Sequence, residues 1–129
     1  MNLVHFEYLK TNGTDWKAKD LTSGTAYYSD PIKCEFSHGF ASLVLQLADG
    51  ADDIDIDIEV SLDGETWFTP RDSDGNSLGE IITDGTCLYT TTPNWWIIID
   101  PPMAPYIRFK FDPDHDSTVT AWYIQRESN

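Results

Sequence analysis

The sequence predicts an all-β protein, a single antiparallel β-sandwich of seven to nine strands covering residues 1–129, on three observations. Apolar residues recur with period two along most of the chain, the repeat of a strand with one buried face. Five of the eight glycines follow Asn or Asp (Asn12-Gly13, Asp49-Gly50, Asp63-Gly64, Asp74-Gly75 and Asp84-Gly85), pairs that accept the positive φ of tight hairpin turns. Helical patterning is nearly absent: Thr14–Leu21 could hold two turns, but it sustains no apolar stripe. Strands broken by turn chemistry every ten residues or so indicate a sandwich, with a jelly roll as one arrangement.

Taken in order, Met1–Lys10 reads as a first strand and carries neither the basic nor the apolar region of a secretory signal. Phe40–Leu47 sets Ala41, Leu43, Leu45 and Leu47 against Phe40, Ser42, Val44 and Gln46. The clearest strand is Asp53–Leu62, where Ile54, Ile56, Ile58, Val60 and Leu62 alternate with Asp53, Asp55, Asp57, Glu59 and Ser61. Asp63-Gly64 is the strongest hairpin signal, leading into Thr66-Trp67-Phe68. Arg71–Gly79 is a polar loop, and Asp100–Pro105 a proline-rich bend between strands. Ile107, Phe109 and Phe111 alternate with Tyr106, Arg108 and Lys110. The last strand, Thr118–Arg126, is apolar on both faces, so its outer face is expected to meet a neighbour rather than water.

Length and charge narrow the function. A chain of 129 residues has the size of one domain and can bury a core without metal or disulfide support. With 22 Asp and Glu against 8 Lys and Arg, its net charge of −14 leaves nothing to displace counterions from a phosphate backbone, so no nucleic-acid partner is expected. Anionic membranes are disfavoured likewise, and no apolar run approaches the ~20 residues of a span. Cys34 and Cys87 are too few for a disulfide scaffold or a zinc site and are expected as two buried thiols.

Catalytic and metal-binding signals are weak. Asp49, Asp52, Asp53, Asp55, Asp57 and Glu59 form an acidic stretch, but alternate carboxylates on a strand stand about 6.5–7 Å apart, and the expectation is a solvated outer face. Asp72–Asn76 and Asp112–Asp116 place oxygens at alternating positions, yet neither matches a calcium loop. Histidine occurs only at His5, His38 and His115, and on one strand Cys34 and His38 would stand ~13 Å apart, beyond hydrogen-bond reach. No nucleophile elbow or phosphate loop is present. No enzyme activity, cofactor or metal is expected.

The aromatic and basic residues are the binding candidates. Trp95 and Trp96 are adjacent, so on a strand they must face opposite ways, one inward and one outward. Trp16, Tyr27 and Tyr28 fall near loops and could likewise be exposed to stack on a sugar or anchor an interface. Trp67 and Trp122 are expected as core or sheet filling. Lys10, Lys17, Lys19 and Lys33 gather in the N-terminal third, a candidate contact for an acidic partner surface.

One resemblance bears on function. Val60-Ser61-Leu62-Asp63-Gly64-Glu65-Thr66-Trp67, followed by Ala104-Pro105-Tyr106-Ile107-Arg108-Phe109, resembles the S-x-D-G-x-x-W hairpin and Y-I-R strand of discoidin-type carbohydrate- and lipid-binding sandwiches. Together with Ser117–Trp122, the same signatures are similar to small accessory virion proteins of tailed bacteriophages. Discoidin domains are longer, often carry a cysteine near each end and usually follow a signal peptide, so the comparison leans toward the phage proteins. It implies a discoidin-like or jelly-roll fold and a non-enzymatic virion protein, assembled in the host cytoplasm. A capsid decoration or cementing protein would bind the major capsid protein or another virion protein as a homo-oligomer, a trimer being the preferred state. The alternatives are a tail attachment protein and a carbohydrate-binding module using Trp95 or Trp96 with Tyr27 and Tyr28.

Overall fold

The computed structural model describes residues 4–34, 41–48, 54–82, 94–99 and 104–126, which contain twelve strand segments and no helix. Two antiparallel sheets pack as a sandwich. In the first, Val4–Tyr8 (β1) and Lys19–Leu21 (β4) both pair with Ser117–Arg126 (β12), which pairs with Ala41–Ala48 (β7), and β7 with Asn94–Ile99 (β10). In the second, Tyr27–Tyr28 (β5) and Ile32–Lys33 (β6) both pair with Tyr106–Pro113 (β11), followed by Ile54–Ser61 (β8) and Glu80–Ile82 (β9). Lys10–Thr11 (β2) and Thr14–Asp15 (β3) form a separate hairpin.

The core lies between the sheets, built by the alternation. Leu43, Leu45 and Leu47 of β7 and Val119, Ala121 and Tyr123 of β12 are buried, as are Ile54, Ile56 and Ile58 of β8 and Ile107, Phe109 and Phe111 of β11. Phe109 meets Tyr123 with ring centroids 5.4 Å apart. Each buried Val, Leu, Ile or Phe among them contributes about 1.5–3 kcal/mol through burial.

Twelve segments replace the expected seven to nine strands because both edge strands are interrupted. After Tyr8 the chain leaves β12, turns through the β2–β3 hairpin and returns. The Leu9 N–H donates to the Ala121 carbonyl (2.9 Å), and the Ala121 N–H to the Trp16 carbonyl (3.0 Å). Asn12 (φ 51°) and Gly13 (φ 79°) form the turn, both left-handed as a two-residue I′ hairpin requires. The Asp30 carboxylate accepts their N–H groups at 2.7 and 2.8 Å. Thr11 Oγ1 donates to the Tyr28 carbonyl at 2.6 Å, so the hairpin ties the edges of the two sheets together. In the second sheet, buried Ser29 bridges the gap between β5 and β6: its N–H donates to the Phe109 carbonyl, and its Oγ accepts the Phe109 N–H, both at 2.9 Å.

Thr14–Leu21, which sustains no apolar stripe, forms no helix and instead gives β3 and β4 around Ala18 (φ 50°), whose N–H donates to Thr120 Oγ1. Two local expectations change. The clean two-residue hairpin is at Asn12-Gly13, not Asp63-Gly64. At the latter, Val60 and Phe68 exchange one pair of backbone bonds (2.9 and 2.8 Å), and the intervening loop closes on Asp63, which accepts the Glu65 and Thr66 N–H groups. The alternation of β8 also ends early: Ser61 is buried and Leu62 is 78% exposed. Phe40, His38, Cys87, Asp49, Asp52, Asp53, Asp49-Gly50, Asp84-Gly85 and residues 100–103 of the proline-rich bend lie outside the described residues.

Candidate functional site

The outer face of the first sheet departs most from ordinary surface chemistry. Pairing aligns Trp96 of β10, Val44 of β7, Trp122 of β12 and Tyr8 of β1 in one row across four strands. The adjacent row is Ile98, Ser42, Ile124 and Phe6, and beyond it Val4 stands opposite Arg126. Val4 is 60% exposed, Phe6 70%, Trp96 64% and Ile98 69%. Tyr8 and Trp122 stack with centroids 5.2 Å apart. Farther along the strands the face turns polar, through Asn94, Gln46 and Thr120 to Thr118, which donates to Asp20 of β4. No carboxylate stands among the apolar rows, although the chain has 22. A strand normally gives its outer positions to polar residues, so contiguous exposed apolar rows make this face the candidate interaction surface.

Trp95 and Trp96 divide as expected: Trp95 packs on the core and Trp96 faces out. Trp16 does not fit the exposed reading. It is fully buried, meets Phe111 edge-on at 4.8 Å and donates its indole N–H to Thr11 Oγ1 at 2.9 Å. The hairpin folds over it, which its position near turns did not reveal. Tyr27 is half-buried, and its hydroxyl accepts the Thr22 N–H. Tyr28 is at the exposed margin of the second sheet, so Tyr27 and Tyr28 share no face with Trp96.

The outer face of the second sheet is charged. The Arg108 guanidinium lies between the rings of Tyr28 (4.2 Å) and Trp67 (4.5 Å) and pairs with Glu59 at 2.7 Å. Register sets Lys110 beside Asp57, Asp112 beside Asp55, and Glu80 beside Asp57. Burial, and then the Glu80 carboxylate, hold Asp57 above the usual carboxylate range. Asp57, Glu59, Glu80 and Lys110, with Arg71, line an open groove of about 250 Å³. Among the described residues, no three His, Cys, Asp or Glu side chains converge to hold a metal ion.

The two oxygen-rich loops spend their oxygens on the chain itself. Asp72 accepts from the Asp74 and Asn76 N–H groups and from the Asn76 side-chain amide, which lowers its pKa. Asp116 accepts the Ser23 N–H, and the Asp114 carbonyl accepts the Ser23 hydroxyl.

The four lysines occupy the edge where β1 and β4 meet β5 and β6. Lys10 pairs with Asp15 at 2.7 Å, which raises its pKa. Lys19 lies over the rings of Trp16 and Tyr27, and Lys17 is exposed. Lys33 is exposed and, with Lys10, Tyr8 and Asp30, lines a cleft of about 200 Å³.

The apolar rows were partly legible, since β12 is apolar on both faces. Phe6, Val44 and Ile98 were not legible as partners of Trp96, because only register brings them together. Comparison with known protein families, with curated proteins and with solved structures finds no match to this chain.

Proposed function

We propose that the protein is a non-enzymatic structural component, a capsid decoration or cementing protein that works by being covered: its role is the interface it makes. The observation that carries this reading is the apolar outer face of the first sheet, which combines two exposed aromatics, a stacked Tyr8–Trp122 pair and no carboxylate. Aromatic anchors in a patch free of carboxylates are the composition of protein interface cores. Docking across neighbouring subunits would add contact area and slow dissociation. Lys17, exposed at the adjoining edge, supplies a cation toward an acidic partner.

Strand order supports a jelly-roll arrangement. With β1 and β4 counted as one strand and β5 and β6 as another, eight strands in chain order form sheets 1-8-3-6 and 2-7-4-5, the connectivity of two interleaved Greek keys. Viral capsid domains and lectins both use it, so the fold alone does not choose between them.

Virus particles purified from the source lysate on a density gradient test the proposal. The chain should co-sediment with the major capsid protein at a fixed ratio by mass spectrometry. Recovery only from the particle-free fractions overturns it.

Saccharide binding is the second reading, favoured by the exposure of Trp96. It is weakened by that residue's neighbours, Val44 and Ile98, which offer no hydrogen bonds to a sugar, and by the separation of Tyr27 and Tyr28 from Trp96. Oligosaccharide titration should leave tryptophan emission unchanged. Quenching abolished by Trp96→Ala would reverse the ranking.

A further inference from the structure

We infer that the apolar face of the first sheet is covered by a second copy of the same chain, in a two-fold, face-to-face dimer. This rests on the interface reading above and names the occupant of this face as a second copy rather than the shell, so that a dimer would meet the shell through its remaining surfaces.

Charge is the first argument. Two chains of −14 each repel wherever their carboxylates approach within a Debye length of about 8 Å. The rows Trp96–Val44–Trp122–Tyr8 and Ile98–Ser42–Ile124–Phe6 contain no carboxylate. Among the described residues, the nearest carboxylate paired into this sheet's outer face, Asp20, belongs to the polar end. Copies that meet through these rows bring their apolar surfaces together while the acidic second sheets point away on opposite sides.

Shape is the second. The middle strand β7 carries the small residues Ser42 and Val44, whereas β12 beside it carries Trp122 and Ile124. A two-fold axis parallel to the strands reverses strand order between copies. It places β7 of each copy over β12 of the other, so that small residues face large ones. The same operation sets the β10 edge, with Trp96 and Ile98, over the partner's β1 edge, with Tyr8 and Phe6. A lone flat face satisfies itself isologously in this way, whereas a three-fold ring needs two different complementary faces.

Area is the third. Aromatic side chains offer ~150–250 Å² each, so Val4, Phe6, Trp96, Ile98 and their half-exposed neighbours present roughly 600 Å² per copy by that scale. Stable interfaces bury about 800 Å² per partner, and the polar residues around the rows supply the remainder.

The test is sedimentation velocity of the purified chain from about 1 to 100 μM, at 0.15 and 0.5 M NaCl. The expected result is a species of twice 14.6 kDa, tighter at the higher salt because screening removes repulsion while apolar contact persists. Phe6→Glu and Trp96→Glu, both at exposed positions, should each weaken the dimer at least tenfold while leaving far-ultraviolet circular dichroism unchanged. Phe6→Leu, which keeps the apolar contact, should retain it. A monomer throughout this range, a trimer, or a dimer indifferent to both charged variants overturns the inference. Particle sedimentation separates this failure from that of the docking proposal. A monomer that still co-sediments with particles, and loses them on Phe6→Glu, leaves docking intact with the shell as the cover. A dimer never found on particles retains the self-association and removes the virion role.

Discussion

Trp16 is fully buried, with an indole N–H bond to Thr11, an edge-on contact with Phe111 and the Lys19 ammonium over its ring, and has no surface role. Trp16→Ala should therefore cost about 3–5 kcal/mol of stability, the range for deleting a buried aromatic, measured by urea unfolding. Self-association, read on the fraction that remains folded, should be unaffected. Asp57 provides a pH-dependent test. Its folded-state pKa is raised, so its protonation favours the folded state. The stabilisation is present below the unfolded value of about 3.9 and is lost as pH rises through the folded value. At pH 7 the charged Asp57 opposes Glu80 across β8 and β9. Asp57→Asn should raise stability there by about 0.2–1 kcal/mol, the scale of a cross-strand like-charge pair, and the gain should vanish at about pH 3, below the unfolded value. An equal effect at both pH values would sink this account of Asp57.

Among the elements, the β2–β3 hairpin depends on a residue distant in sequence. Asp30 caps the N–H groups of Asn12 and Gly13. Asp30→Ala should cost about 0.5–1.5 kcal/mol, because water can replace the acceptor at these exposed amides, and should speed hydrogen exchange at those two amides above any change at β7. The join of β8 and β9 is equally specific. The Gly79 carbonyl accepts the Ile58 N–H at 2.7 Å, and a Cβ on Gly79 would stand 2.6 Å from the Ile58 carbonyl oxygen. Backbone cannot yield as a flexible side chain does, so Gly79→Ala should displace β9 and cost about 1–3 kcal/mol, visible as a lower urea midpoint. Neither dependence is legible locally, since both partners come from separate segments.

For the molecule as a whole, the imbalance between its faces is the organising feature: one outer face is apolar, the other charged, and net charge is −14. Self-repulsion at that charge predicts that 0.5 M NaCl raises the melting temperature of the monomeric Phe6→Glu variant relative to low salt. A fall would mean that ion pairs such as Arg108–Glu59 outweigh repulsion. The sequence by itself determined the class of fold, because the period-two alternation of Leu43–Leu47, Ile54–Ile58 and Ile107–Phe111 is a local property that survives in any sandwich. It also determined that Trp95 and Trp96 face opposite ways and that β12 is apolar on both sides. Tertiary structure alone decided which strands are neighbours. Register carries Phe6, Val44, Trp96 and Trp122 from four distant segments into two rows, and it sends Tyr28 to the opposite sheet. It also folds the Asn12-Gly13 hairpin over Trp16. Alternation tells each residue its side of a strand, but a shared face arises from pairing between strands, which no single segment encodes.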